Sequence, residues 1–224
     1  MHKDMYKKIE SHMLSHNNDG AHDSQHIYRV LYYALDIASS YNVDKDVLIA
    51  ACLLHDIGRE AQFRNPENDH AIVGADMAYE FLIQIGWPED KAQHVKECIF
   101  THRYRNNNQP ESTEAKILFD ADKLDATGTM GIARTLAYKG IVAEPLYYVD
   151  EDGNVIDGHN EDKPSFFQEY NYKLKNIYDK FYTCRAETIA KERQKASIDF
   201  YESMYSEVCS VHKTGMQLIK KELE

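Results

Sequence analysis

The sequence predicts an all-α protein. Apolar residues recur at helical spacing along most of the 224-residue chain, and strand-like alternation is scarce. Only five prolines occur, so few helices are interrupted. With 43% hydrophobic residues the chain can bury a substantial core. We expect a single domain over residues 1–224, with a core at about 20–140 and a C-terminal helical annex at about 160–210.

The first half of the chain reads as a series of helices joined by short polar turns. The patterns predict helices at residues 3–17, 24–41, 46–57, 69–85 and 88–102. Residues 46–57 are apolar on every face, which is typical of a helix in the centre of a domain, and Gly58 can end it. The segment 17–23 is a predicted turn, after which Asp23 or Ser24 can cap the next helix.

The second half contains longer and more polar helices. Loops are predicted at residues 64–70 and 106–112, and further helices at 113–126, 129–139, 165–182 and 185–209. Between residues 140 and 163 the turn signals suggest a small hairpin near 147–155. The last two helices form the expected annex, which packs on the core or supports a homodimer.

Charge and cysteine usage narrow the function. The net charge of −11 and the pI near 5.4 disfavour a nucleic-acid partner, because an acidic surface repels a phosphate backbone. A small phosphorylated substrate stays compatible, since a bound metal reverses the local charge. The four cysteines are widely spaced and are expected to be reduced thiols, most of them in the core. No stretch is apolar enough for a signal peptide or a bilayer span, so we expect a cytoplasmic protein with no membrane partner.

Histidines and aspartates lie on the predicted inward faces of separate helices. His26, His70, His102 and Asp122 each share a stripe with apolar residues at i, i+3, i+4 or i+7 spacing. His55 and Asp56 end the fully apolar helix. One buried histidine alone is more often a core residue with a hydrogen-bond partner.

Buried carboxylates change that interpretation. An isolated buried Asp56 or Asp122 would be very costly, and six polar residues from five helices are hard to satisfy in pairs. A divalent cation satisfies them together. Mixed imidazole and carboxylate ligands discriminate poorly among metals, so Mn, Fe, Co, Ni, Zn and Mg all remain candidates.

Three segments resemble the H…HD…D signature of the HD-domain superfamily of metal-dependent phosphohydrolases. They are HIYRV at 26–30, LLHDIGRE at 53–60 and DADKLDA at 120–126. Residue by residue, the signature matches at His26, His55, Asp56 and Asp122. The resemblance implies an HD-domain helical bundle with a metal held by these four residues.

The segment GTMGIARTLAYKG at 128–140 resembles a bacterial subfamily of uncharacterised HD-domain phosphohydrolases. The resemblance extends over about 20–210. In relatives with two metals, extra histidines complete a second site and the HD aspartate bridges the ions. This implies one or two ions per chain. His70 and His102 either complete a second site, in which Asp56 bridges the ions, or bind substrate phosphate or only the groups that surround the metal ligands.

Three residues are expected to take part in catalysis: Asp56, Arg59 and Lys123. The resemblance implies a phosphate contact for Arg59, although a surface salt bridge would fit equally well. Lys123 follows Asp122 and either reaches a phosphate or pairs with a nearby carboxylate. Asp120 and Asp125 are candidates for orienting the histidine rings.

We therefore expect a metal-dependent phosphohydrolase, a phosphomonoesterase or phosphodiesterase acting on a nucleotide or another small metabolite. The metal would lower the pKa of a bound water and neutralise charge on the phosphoryl group. Two alternatives stay open: an HD-type di-iron oxygenase, and a non-catalytic nucleotide sensor that keeps the metal.

Overall fold

The computed structural model of the chain describes residues 1–16, 24–103, 108–159 and 162–224. Over these residues the chain is helical, with one isolated antiparallel bridge between Val149 and Val155 and no strand. The all-α prediction is confirmed. The turn expected at 17–23 and the start of the loop expected at 106–112 fall outside the described residues.

The first compact unit comprises residues 1–125 and 181–186. It contains α1 (Lys3–Ser15), α2 (Ser24–Ala38), α3 (Lys45–Leu54), α4 (Arg59–Arg64), α5 (His70–Gln84), α6 (Glu89–Phe100) and α7 (Thr113–Leu124). Six of these agree with the predicted helices to within a few residues at each end. The short α4 was not predicted, because six residues are too few to show a periodic pattern.

Helix α3 lies at the centre of this unit, as its apolar sequence predicts. Nearly all of its side chains are buried, and it packs against α1, α2, α6 and α7. It begins after Asp44, whose side chain accepts hydrogen bonds from the backbone of Asp46 and Val47. Burial on every side fixes the position of the residues at its C-terminal end.

Gly58 has a different role from the one predicted. Helix α3 ends at Leu54, and Gly58 has a φ of −82°, which any residue can adopt. A Cβ added at Gly58 would lie 2.4 Å from the carbonyl oxygen of His70 and 2.6 Å from the backbone nitrogen of Gly74. Glycine is therefore needed for contact between this turn and α5.

The second compact unit comprises residues 126–180 and 187–224. Its elements are α8 (Gly128–Ile141), α9 (Phe166–Tyr172), a 3₁₀ helix (Leu174–Asn176) and all but the first residues of α10 (Cys184–Leu223). A core of Ile132, Phe166, Phe167, Tyr170 and Leu174 holds the unit together. The hairpin expected near 147–155 is reduced to the single bridge.

Two helix predictions in this unit differ from the structure. The helix expected at 165–182 stops at Tyr172, where the side-chain amide of Asn176 donates to the carbonyls of Asn171 and Tyr172. Those carbonyls would otherwise continue the helical ladder. The last helix runs to Leu223 and not to residue 209, since its final residues are good helix formers.

No helix in the described part of the chain is both long enough and apolar enough to cross a bilayer. Cys52 and Cys98 are buried thiols, whereas Cys184 is exposed and Cys209 is half-buried. The expectation of core thiols is therefore met for two of the four.

Candidate metal centre

The first unit brings together all six residues expected to bind metal. His26 comes from α2, His55 and Asp56 from the turn after α3, His70 from the first residue of α5, His102 from the segment after α6, and Asp122 from α7. Five of them are buried, and the side chain of Asp122 is 24% exposed. Asp122 therefore marks the side on which the cluster opens to solvent.

Asp56 lies between two pairs of histidines. Its Oδ2 is 3.5 Å from Nε2 of both His26 and His55. Its Oδ1 is 3.4 Å from Nε2 of His70 and 3.7 Å from Nε2 of His102. Two candidate metal groups result, and each uses one oxygen of the same carboxylate.

Asp122 adds a fourth ligand atom to the first group. Its Oδ1 lies 3.3 Å from Nε2 of His26 and 3.9 Å from Nε2 of His55. Ligands bound at about 2.0–2.1 Å in a tetrahedron stand about 3.3 Å apart. The observed spacings therefore fit one ion within the first group.

Hydrogen bonds at Nδ1 aim three of the rings at the centre. Each Nδ1 faces an oxygen that can only accept: Asp125 Oδ2 at 2.7 Å from His26, the Cys52 carbonyl at 2.8 Å from His55, and the Ile99 carbonyl at 2.5 Å from His102. A neutral ring in this arrangement carries its proton on Nδ1. Its Nε2 then presents a lone pair to the centre, as a metal ligand must.

The unsatisfied atoms of the cluster indicate what it binds. Nε2 of His55, His70 and His102 and Oδ1 of Asp56 are buried without a hydrogen-bond partner among the described residues, whereas Oδ2 of Asp56 is paired with Arg59. Buried polar atoms without partners are costly and rare. One or two divalent cations would satisfy all of them, so the donor set fits the metal that the sequence predicts.

Two of the histidines are held neutral. Burial, with the charge of Arg59 adding to it, lowers the pKa of His70 to about 2. Burial and the neighbouring His55 lower the pKa of His102 to about 4. Both rings are therefore uncharged at neutral pH, which is the form that binds a metal.

His26 and Asp56 are shifted by their partners. Burial alone would lower the pKa of His26, but hydrogen bonds to Asp122, Asp125 and Asp56 outweigh it and raise the value to about 10. Burial would raise the pKa of Asp56, yet the charge of Arg59 holds it well below its usual range. Without a metal, the ring of His26 therefore carries a positive charge at neutral pH.

Three arginines surround the cluster, although the chain is strongly acidic overall. Arg29 binds both oxygens of Asp125 at 2.6 and 2.9 Å, and Arg59 Nε lies 2.5 Å from Asp56 Oδ2. Arg103 lies 3.6 Å from Asp69. Each of these arginine side chains is about a quarter exposed, at 24–28%. Each guanidinium is therefore close to a carboxylate and still partly accessible from solvent.

The other expected residues have different surroundings. The Lys123 ammonium lies 4.6 Å from the ring centre of Phe119 and 5.5 Å from that of Phe181, so its phosphate contact stays a prediction. Asp120 accepts hydrogen bonds from the backbone of Tyr182 and Thr183. It anchors that segment and orients no histidine, unlike Asp125.

One side chain that contacts a candidate ligand was not predicted from the sequence. Gln62, on α4, places its Oε1 2.5 Å from Nδ1 of His70. No sequence signal pointed to it, because α4 itself has no periodic pattern. Next to it, the side chain of Phe63 is 82% exposed.

Comparison with known proteins agrees with the resemblance found in the sequence. Residues 23–127, which span every candidate ligand, match the HD domain. This part of the chain is therefore similar to an HD domain. The Bacillus subtilis protein YpgQ is 26% identical over 196 residues, which cover 86% of this chain and 87% of YpgQ. A structure of YpgQ in complex with ADP matches with a TM-score of 0.69 and 25% identity, over 90% of this chain and 97% of YpgQ.

A second solved structure agrees with this assignment. An HD superfamily hydrolase from an uncultured Thermotogales bacterium is 28% identical with a TM-score of 0.60, over 92% of each chain. Bacillus subtilis YueE, provisionally named a phosphohydrolase, is 28% identical over 114 residues, or 45% of this chain and 64% of YueE. The resemblance found in the sequence is confirmed: the chain has the HD-superfamily hydrolase fold.

Proposed function

We propose that this HD protein is a metal-dependent phosphohydrolase that acts on a phosphate ester of a nucleotide or another small metabolite. The observation that carries the proposal is Asp56, which offers one oxygen to each histidine pair and lies beside Arg59. When bound, divalent ions at such a site lower the pKa of water and neutralise phosphoryl charge.

The chain's own residues bind and orient the substrate. His26, His55, Asp56 and Asp122 hold the first ion, and His70 and His102 complete the second group. Arg59 presents a planar guanidinium, whose geometry suits a phosphate, at the edge of the cluster. Lys123 adds a second positive charge that attracts the phosphate through the partly exposed side of the centre.

A nucleotide is favoured by the position of Phe63. It follows Arg59 by four residues on α4, and residues so spaced share a helix face. Its exposed ring would stack on a base while Arg59 contacts the phosphate. The relative YpgQ was solved with ADP, a ligand of this type.

The test is hydrolysis of a broad panel of phosphomonoesters and phosphodiesters by protein loaded with Mn, Co or Ni. We expect turnover that EDTA abolishes and that added metal restores. Asp56→Asn, which keeps the side-chain shape but loses the charge, should be inactive. A metal-loaded protein that hydrolyses no member of the panel would overturn the proposal.

The same geometry defines the alternatives. Two metal groups sharing Asp56 are also what a di-iron oxygenase requires, and oxygen consumption by the iron-loaded protein would indicate that activity. Tight nucleotide binding without turnover would indicate a sensor. A cytoplasmic location, a homodimer, and packing of the annex on the core within one domain remain predictions.

A further inference from the structure

We infer that Gln62 is a positioning residue that selects the tautomer of His70 and so decides whether this histidine can bind the second ion. The inference rests on the proposed metal-dependent function. Oε1 of Gln62 lies 2.5 Å from Nδ1 of His70, and the histidine ring is fully buried. The contact spans only eight residues of chain, from α4 to the start of α5.

His70 differs from the other three histidines of the cluster. Their Nδ1 atoms face a carboxylate or a backbone carbonyl, which can only accept a hydrogen bond. Nδ1 of His70 faces one side chain that accepts a hydrogen bond and one that donates a hydrogen bond. Gln62 Oε1 accepts, whereas Nη1 of Arg103, 3.1 Å away, can only donate.

Each partner favours a different tautomer. With Gln62 as acceptor, the proton is on Nδ1, and the Nε2 lone pair points toward Oδ1 of Asp56, 3.4 Å away. With Arg103 as donor, Nδ1 is bare and the proton moves to Nε2. Nε2 would then donate to Asp56 and could not bind a cation.

The distances favour the tautomer that can bind a metal. The contact with Gln62 is shorter by several tenths of an ångström, and the Arg103 guanidinium also lies near the carboxylate of Asp69. Removing the acceptor at position 62 would leave Arg103 as the partner of Nδ1. His70 would then change from a ligand into a hydrogen-bond donor.

Two substitutions separate this role from packing. Gln62→Glu keeps an acceptor oxygen at the same position, whereas Gln62→Leu has similar volume and no acceptor. Nitrogen-15 NMR of the metal-free imidazoles reports which ring nitrogen carries the proton. Calorimetric titration with Mn or Co gives the number of ions and the affinity for each.

We expect wild type and Gln62→Glu to show His70 protonated at Nδ1 and to bind two ions. Gln62→Leu should show the proton on Nε2 and bind the second ion about 10–100-fold more weakly, with the first ion unaffected. Thermal unfolding and the ¹⁵N signals of the other three histidines confirm that each variant is folded. Gln62→Met replaces the leucine variant if that one does not fold.

Two results would overturn the inference. One is a folded Gln62→Leu protein with His70 still protonated at Nδ1 and unchanged affinity for the second ion. The other is a wild-type protein that binds a single ion, which removes the second site altogether. In either case the phosphoester panel on wild type tests the proposed function separately, because the first group alone can support hydrolysis.

Discussion

Asp125 Oδ2 lies 2.7 Å from Nδ1 of His26, and Arg29 binds both oxygens of that carboxylate. The carboxylate is fully buried, so the ring of His26 has one orientation, and its neutral form carries the proton on Nδ1. A carboxylate placed behind a metal-binding histidine also increases the basicity of the ligand. The hydrogen bonds that link Arg29 to Asp125 and Asp125 to His26 therefore hold Nε2 of His26 in the direction that the proposed first ion would need.

Asp125→Asn should weaken binding of the first ion by about 10–100-fold. The amide can turn its NH₂ toward Nδ1, which places the ring proton on Nε2, and it loses the ion pair with Arg29. Metal affinity by competition with a chelating dye measures the effect. Asp36→Asn is the matched control, since it breaks only the exposed pair with Arg185. Equal affinities in the two variants would show that Asp125 does not act through His26.

Asp56→Ala should remove both ions, because each candidate group uses one of the Asp56 oxygens. Elemental analysis of protein purified without chelator gives the metal content directly. Asp76→Ala, which removes a carboxylate paired with Lys96 on the surface, should keep the wild-type content. Full metal content in Asp56→Ala would mean that the ligand assignment is wrong.

Gly58→Ala should destabilise the protein by about 1–3 kcal/mol, because the new methyl group meets backbone atoms that cannot rotate away. Relief of the clash requires α5 to move, and His70 begins that helix, so the second ion should also be lost. Chemical denaturation and metal stoichiometry measure the two effects.

The control for Gly58 is Gly215→Ala on α10, where an added Cβ meets nothing within 4 Å. Alanine favours a helix over glycine, so this variant should gain about 0.5–1 kcal/mol. A Gly58→Ala protein as stable as wild type, with two ions bound, would contradict the close contact between the turn and α5.

The metal-free protein should be most stable near neutral pH. The pKa of His26 is raised to about 10, so its contribution is complete below about pH 6.5 and is lost as the pH rises toward 10. The pKa values of His70 and His102 are lowered to about 2 and 4. Below about pH 6.5 the unfolded chain protonates these rings first, so stability falls as the pH decreases.

Urea unfolding between pH 4.5 and 9.5 tests this dependence. Each group should contribute a slope of up to about 1.4 kcal/mol per pH unit within its own window. His102→Gln should flatten the acidic limb and leave the alkaline limb in place. An unchanged acidic limb in that variant would show that His102 is not held neutral by the fold.

Phe63→Ala should raise the KM for a nucleotide about tenfold, since loss of one base-stacking contact costs about 1–3 kcal/mol. The kcat should change little, because the ring does not touch the reacting phosphate. Glycerol phosphate, which has no base, should be hydrolysed equally by both proteins. Tyr32→Ala, which removes another exposed aromatic ring, is the control. A nucleotide KM equal to that of wild type would place the base elsewhere.

The candidate ligands could be predicted because residues on the buried face of a helix recur at helical spacing in the sequence. His26 and Asp122 share helix faces with apolar residues, and the structure brings both to one centre. The position of His55 and Asp56 could be predicted because they lie at the end of a helix that is apolar on every face. Each of these patterns lies within a single helix, so it can be recognised without knowing how the helices pack together.

What the sequence could not show depends on contacts between elements. Gly58 reads as a helix stop, and only the approach of α5 reveals why it must lack a side chain. Gln62 lies on a helix too short for a periodic signal, and its partner is eight residues away. The carboxylate of Asp122 was expected to be buried and is partly exposed. A periodic pattern shows which face of a helix points inward, but it does not show how deeply each side chain on that face is buried.

If both proposed groups hold an ion, the position of Asp56 between two histidine pairs would make metal binding a linked equilibrium. Charge drawn by one cation would then be unavailable to the other, so the two affinities would depend on each other. Whatever factor the first ion imposes on the second, the second must impose on the first. The groups also differ in composition, since Asp122 adds a carboxylate to one side only. A mixed pair, with a harder cation beside Asp122 and a softer one beside His70 and His102, is therefore the state to expect when two metals compete.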